Sequence, residues 1–419
     1  MPERNCDAVV CGAGVGGLAA AFALAARGLD VLLLEKQRRP AAIAKGEVLQ
    51  PGSVDVLREW GLLEPLRERG AVRLERLVLR EADGREVMVF DYPALDGGGH
   101  RLYSHDHPDI LGLFADHLAD RVRWWRGARA ADLLRDGSGR ITGVRVVRDE
   151  ATEDVRAPLV VAADGVSSRL RAQAGIPARP VEYAHRLASF DLRTEVPAEV
   201  GGLLTDRGLR LHYPLPGGRT RLYAQVTADE LRGVKGAELT GWAEGAVRDA
   251  PALEPLLPAW REALGSRQLL RLFRFTAARM TAPGLAMVGE SAHAVHPMAA
   301  QGMNTAIADA HALAAALGPG PLRPSDVDDA LAGYQRARSG WVRHIDRMSH
   351  DATRMITDTS WAGRLLGRRM LRRTSRNPRL RYVATYNMAG LGIRPFTPLD
   401  RLHQLGLPDP RAQRRPVWA

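Results

Sequence analysis

The chain has 419 residues, 45% of them hydrophobic, which suits two domains or one large interleaved unit and argues against a disordered chain. Its formal net charge of +11 is carried by arginine, because the only lysines are Lys36, Lys45 and Lys235. No basic stripe with interleaved aromatics occurs in the first 300 residues and no run of 18 uncharged apolar residues occurs anywhere, so neither nucleic-acid binding nor a membrane span is expected.

The N-terminus enters an apolar strand within a few residues, which leaves no room for a signal peptide. Cys6 and Cys11 lie in or beside that one strand and cannot pair easily, so a reducing cytoplasm is the expected compartment. From Asp7 the chain reads DAVVCGAGVGGLAAAFALAARGLDVLLLEK: a strand, a glycine turn, an apolar helix and a second strand. Gly12, Gly14 and Gly17 make a G-x-G-x-x-G fingerprint, with Val15 and Gly16 in the same turn. The glycines serve a tight turn, close backbone approach to a pyrophosphate, and tight helix–strand packing. The helix start offers free N–H groups to phosphate. Glu35, followed by Lys36, ends the second strand 23 residues after Gly12, where an acid accepts from a ribose hydroxyl and repels a 2′-phosphate. A dinucleotide site is expected; this motif alone does not separate FAD from NAD.

Further along, KGEVLQPGSVDVLREWGLLEPLRERG carries a helical face through Val54, Leu57 and Trp60. Arg76 to Phe90 reads as a hairpin around EADGRE. His107 opens a helix with Pro108 in its first turn. Strands and turns follow, and PLVVAADGVSSRLR ends a strand at Asp164 and Gly165. Residues 181–275 read as a second sheet, and helical patterns dominate after Ser325. The stretch GLAMVGESAHAVHPMAAQGMNTAIADA, from Gly284, opens as a strand and closes as a helix, with Gly289 and Glu290 at the strand end. Glu290, His293 and His296 stand at intervals of three, but Pro297 breaks any helix that could hold them as ligands, and no metal is expected.

Three of these stretches together resemble the single-component FAD-dependent aromatic monooxygenases of the para-hydroxybenzoate hydroxylase type: the glycine fingerprint, ADGVSSRLR (residues 163–171), and the 284–310 stretch, which is similar to the family's G-D-x-x-H-x-x-x-P motif and the G-x-N helix start after it. KGEVLQPGSVDVLREWG is a looser fourth match. The resemblance spans roughly residues 5 to 315 and implies an α/β fold: a Rossmann-like FAD-binding domain interleaved with a β-sheet substrate domain, plus C-terminal helices. The FAD-binding parts would be residues 1–75, 100–180 and 276–324, the substrate parts 76–99 and 181–275, and the helical region 325–419.

It implies also that Glu290 takes the place of an aspartate bonded to a ribityl hydroxyl, one methylene longer than the family's residue. Gly302, Met303 and Asn304 would offer backbone N–H groups to the flavin's pyrimidine edge, where reduced flavin carries negative charge. Pro297 would lie beside the flavin ring, Asp164 and Gly165 near the FAD phosphates with Arg171 holding them, and Lys45 and His107 where the family has residues that reach FAD. His293 is expected to be structural. The implied reaction uses NADPH or NADH to reduce FAD, and O2 to form a C4a-hydroperoxide that an electron-rich carbon attacks. The protein then supplies no nucleophile and no metal, but must exclude water.

Squalene-type epoxidases, geranylgeranyl-type reductases and a flavin-binding partner without turnover share the fold and stay open; the halogenase motif W-x-W-x-I-P is absent, and Trp124 and Trp125 do not supply it. The second sheet is expected to floor a site for an electron-rich, lipophilic aromatic (a phenol, quinolone, indole or polyketide-like compound of bacterial secondary metabolism). His212, Tyr213, Tyr223 and Gln225 are the candidate contacts. Arg364 to Arg381 holds eight arginines and no acid, interleaved with leucines; a solvated arginine face is the first expectation it raises and a weak contact with an anionic membrane surface the second.

Overall fold

The computed structural model describes residues 4–39, 46–120, 122–297, 300–318 and 322–416. Two sheets organise it. The first has six strands in the order Thr281–Ala282, Leu285–Met287, Leu159–Ala162, Ala8–Cys11, Val31–Glu35 and Val122–Arg126. All neighbours run parallel except Thr281–Ala282, the edge strand. The inner strands are continuously apolar and buried, AVVC and LVVA, as a sheet covered on both faces requires. The glycine-turn helix Val15–Ala26 packs beside helix Gly302–Ala316, and small residues set that approach: a Cβ on Gly16 would meet the Ala306 Cβ at 3.4 Å.

The second sheet has seven strands in the order Gln268–Leu270, His185–Leu192, Arg219–Thr227, Gly208–Leu215, Val200–Thr205, Arg76–Glu81 and Glu86–Asp91. The early hairpin 76–91 is therefore joined to strands more than a hundred residues later, through the parallel pair Val200–Thr205 and Arg76–Glu81. The strand Val200–Thr205 carries little sequence signal of its own. Its GG-LL core has no polar alternation to mark it, and all six of its residues are buried. Two helices the reading of 181–275 as sheet did not include, Gly236–Arg248 and Leu257–Ala263, cover one face and enclose Phe190, Leu222, Ala224 and Trp260. The opposite face carries Leu187, Leu211, Tyr213 and Tyr223 in a core shared with Ala300, Leu371 and Met388.

The C-terminal region is helical as expected: Pro324–Thr357, Trp361–Arg376, Pro378–Met388 and Pro398–Leu405. Four of the eight arginines of 364–381 pair with acids. Arg364 and Arg368 reach Asp206, Arg368 and Arg372 reach Glu81, and Arg379 reaches Asp400 and Asp409. The acids missing from the segment itself come from distant parts of the chain. Among the described residues no helix is long and apolar enough to cross a membrane.

Candidate FAD site

Four adjacent parallel strands end at the same edge, and each is followed by a segment singled out in the sequence. Gly12 follows Cys11, Lys36 follows Glu35, Ala163 and Asp164 follow Ala162, and Gly289 and Glu290 lie just past Met287. The carboxyl ends of such strands are where open α/β sheets hold ligands. Gly12 sits at φ +112°, and a Cβ there would lie 2.3 Å from the Ala163 carbonyl oxygen. A Cβ on Gly17 would lie 1.8 Å from the Gly12 oxygen, so no side chain fits. Gly14 caps the helix, and a Cβ there meets nothing within 4 Å, which leaves the cradle open toward the helix start. No acid stands in the helix's first turn, so its N–H groups face an unopposed anion position. Glu35 accepts from the N–H groups of Ala13 and Gln37, both at 2.8 Å, which ties the second strand to the glycine turn. Lys36 is exposed, and Lys45 lies outside the described residues.

Asp164 uses one carboxylate oxygen to accept from Arg169 N–H at 2.9 Å and Leu170 N–H at 3.3 Å. Its other oxygen is buried without a protein partner. An orphaned carboxylate oxygen beside a glycine cradle fits a cofactor hydroxyl or amide donor. Gly165, at φ +86°, leaves the backbone bare at the same place. Arg171 locks the turn, donating to the Ser291 oxygen at 2.7 Å and the Val166 oxygen at 2.9 Å. Glu290 sits half-buried in the single turn Gly289–Ser291 rather than on the strand itself.

Beneath that turn is a residue the sequence reading passed over. Asp309, fully buried, holds His293 Nε2 at 2.6 Å, Arg338 Nε at 2.8 Å and Gly289 N–H at 3.0 Å. Burial alone would raise its carboxyl, but His293 and Arg338 more than offset this and hold it below the usual range. An aspartate inside the apolar helix NTAIADA was the available signal. His293 is thereby structural, while His296 turns elsewhere, to His185 at 2.9 Å, so the two imidazoles serve different partners. Tyr183 and His350 complete a cluster around His296, next to Pro297. Burial, then the charges of His185 and His350, keep His296 well below its ordinary value.

The start of helix Gly302–Ala316 faces the same edge. Gly302, Met303 and Asn304 are its first three residues, and their N–H groups have no acceptor within the helix. The Asn304 side chain is not available to a ligand: its oxygen accepts from Gln50 N–H at 2.8 Å and its nitrogen donates to Val48 O at 3.0 Å. It clamps the 48–50 segment, so the role expected of Asn304 falls to its backbone alone. A Cβ on Gly46, at φ +70°, would meet His107 Nδ1 at 3.2 Å and the Met303 Cβ at 3.6 Å, which brings His107, Gly46 and Met303 together.

The next residue, Glu47, joins the two sheets' territories. It is buried, accepts from Arg221 Nε at 2.9 Å and Nη2 at 2.8 Å, and accepts from the Tyr213 hydroxyl at 2.9 Å. Burial pushes its carboxyl up, and Arg221 and Tyr213 oppose that push. The Tyr223 hydroxyl joins at 3.4 Å. Tyr213 and Tyr223 thus lie on the face toward the cradle, but deep in this network.

His212 does not lie on that face. Side chains alternate along a strand, and His212 pairs with Leu222, so it points toward the two covering helices. Its ring fills the place a Cβ on Gly201 would take, and burial pushes its pKa down to about 4. Gln225 shares Tyr223's face, but its side chain accepts from Leu209 N–H at 3.0 Å and donates to Thr357 O at 2.8 Å, tying the sheet to the long helix.

The comparisons agree with this geometry. Residues 5–348 match the model of a family described as an FAD binding domain. The 2-heptyl-3-hydroxy-4(1H)-quinolone synthase of Mycobacteroides abscessus is 31% identical over 79% of this chain and 85% of its own. The 6-methylpretetramide 4-monooxygenase of Streptomyces rimosus is 29% identical over 90% of each chain. The solved structure of PqsL, a probable FAD-dependent monooxygenase from Pseudomonas aeruginosa, superposes with a TM-score of 0.76 at 25% identity, over 85% of this chain and 98% of that one. The chain belongs to the FAD-dependent monooxygenases of the aromatic-hydroxylase type.

Proposed function

We propose that this protein hydroxylates an electron-rich, lipophilic aromatic, using O2 and NADPH or NADH. The observation that supports this most is the convergence of the glycine cradle, the half-paired Asp164 and the free helix start at Gly302 on one edge, opposite a sheet face rich in apolar and phenolic side chains. Bound FAD supplies the hydride acceptor and the oxygen-activating centre. The chain does the rest. Gly12, Gly14 and Gly17 receive the pyrophosphate, Glu35 the ribose, and Glu290 a ribityl hydroxyl. The N–H groups of Gly302 and Met303 stabilise negative charge at the flavin's pyrimidine edge. Pro297 and Ala300 line the substrate side, and the apolar face around Leu187, Leu211 and Tyr223 keeps water away. Relatives named for a heptyl-bearing quinolone and for a pretetramide support an aromatic substrate class.

The test is a panel of phenols, quinolones and indoles offered to the FAD-loaded protein with NADPH or NADH. The expected result is faster flavin reduction by one group, with one atom from isotopically labelled O2 in the product. A polyene epoxidised or reduced instead would move the protein to the epoxidase or reductase reading. Bound FAD with no response to any compound would leave a flavin-binding partner without turnover.

A further inference from the structure

A cavity of about 410 Å³ lies under the C-terminal helices, bounded by strand Glu86–Asp91 and by helices Pro324–Thr357, Trp361–Arg376, Pro378–Met388 and Pro398–Leu405. Its size falls in the range of small-molecule sites. Met88, Phe90, Met348, Met355, Met388 and Phe396 form much of its wall. Four thioethers on one cavity make a surface that adapts to flexible apolar shapes. Gly340, Ala352 and Ala384 keep it open, and a Cβ on Gly340 meets nothing within 4 Å.

Apart from Arg347, which is exposed, the polar side chains of this wall are paired with one another or with backbone carbonyls. His344 meets Asn387 at 3.0 Å, and Asn387 Nδ2 donates to the Val383 and Arg394 carbonyls. Gln404 donates to Thr374 Oγ1 at 2.9 Å and accepts from Arg401 at 3.1 Å, while Thr374 donates to the Met370 oxygen. Arg401 pairs with Asp351 at 2.5 Å. A ligand with polar atoms at this depth would strip their water and find no replacement; a hydrocarbon loses nothing.

The cavity adjoins the apolar core beside the candidate site. Met88, Phe90, Leu371 and Met388 belong both to its wall and to the apolar core that carries Tyr213 and Tyr223 and packs against Ala300. Met388 stands at the boundary: its carbonyl accepts from Gln301 Nε2 at 2.8 Å, and Gln301 caps the helix whose start faces the flavin edge.

We propose that this cavity holds the alkyl chain of the substrate while the aromatic ring lies at the flavin. The proposal rests on the aromatic-hydroxylase reading above and names where the lipophilic part of that substrate goes. Two measurements test it. In the first, 4-alkylphenols from methyl to nonyl are titrated into the FAD-loaded protein and followed by the flavin absorbance. The dissociation constant falls about fourfold per added methylene and then levels off when the cavity is full. Gly340→Leu and, independently on another wall, Ala384→Phe bring the levelling to shorter chains and leave 4-methylphenol binding unchanged. In the second, n-decanol is added and thermal unfolding recorded: the wild type is stabilised and the two variants are not. A dissociation constant indifferent to chain length, or a plateau unmoved in both variants, overturns the proposal, and so does a wild type that decanol leaves unchanged. Decanol stabilising the wild type alone, with no phenol of any length perturbing the flavin, overturns the assignment of the cavity to the substrate's chain and leaves it an apolar-chain site, while the hydroxylase reading is decided separately by the quinolones and indoles of the panel.

Discussion

Single residues at this site divide into those whose atoms face the cofactor cradle and those that hold such residues still. Glu290 is assigned to the first kind. Glu290→Ala is expected to weaken FAD binding by about 1.5–3 kcal/mol, the value of one hydrogen bond to a charged group, whereas Glu290→Asp is tolerated. Titration of the apoprotein with FAD checks both, and an alanine variant with unaltered affinity removes Glu290 from the site. His212 is of another kind, buried away from the cradle. Its folded pKa of about 4 lies below the ordinary 6.5. At neutral pH both folded and unfolded forms are uncharged and nothing is lost. As pH falls below 6.5 the unfolded chain takes up the proton first, so stability drops until about pH 4. Between pH 7 and 5 this group alone removes about 2 kcal/mol. Urea midpoints at the two pH values should therefore differ less in His212→Gln than in the wild type; equal losses in both proteins would discard this account.

Among elements, the turn Gly289–Ser291 and the helix Gly302–Ala316 depend on Asp309, which ties His293, Arg338 and the Gly289 N–H into one buried network. Asp309→Ala leaves the Arg338 charge buried without its carboxylate and is expected to cost about 3–5 kcal/mol. Denaturant unfolding reads that loss. The same variant should also bind FAD more weakly, because the turn that carries Glu290 loses its floor. Helix Trp361–Arg376 behaves differently from its composition. Acids of the fold engage Arg364, Arg368 and Arg372, three of its six arginines, while Trp361, Leu365 and Leu366 stay 73%, 57% and 48% exposed. Sedimentation with anionic vesicles is expected to show weak binding at low salt that vanishes as ionic strength rises. Strong binding that resists salt would mean that apolar insertion, not charge, dominates this face.

At the scale of the whole molecule, the buried pair Glu47–Arg221 couples the cradle to the second sheet, since Glu47 adjoins Gly46 and the Met303 contact while Arg221 lies on the sheet. Arg221→Met strands a buried carboxylate among phenols and should cost about 3–5 kcal/mol. Glu47→Leu together with Arg221→Met should recover much of it, as apolar replacement of both partners commonly does. Melting temperatures of the two singles and the double decide this. A double variant as unstable as the sum of the singles would mean that Glu47 and Arg221 act independently.

Much of the cradle could be read from the chain alone, because its signals are local. The glycines, Glu35, Asp164 and the Gly302 helix start are each dictated by turn geometry, strand ends or helix ends within a few residues. The resemblance to the aromatic monooxygenases is what joins them into one site. What only the tertiary structure decided is long-range. The partners of Glu47 and Asp309 come from elements 174 and 29 residues away. The arginine-rich helix finds its acids at Glu81 and Asp206. The face on which His212 falls follows from its register against Leu222. A buried charge takes whatever partner the fold brings to it, and a strand's faces are assigned only when its neighbours and covering helices are in place, so no local pattern could specify either.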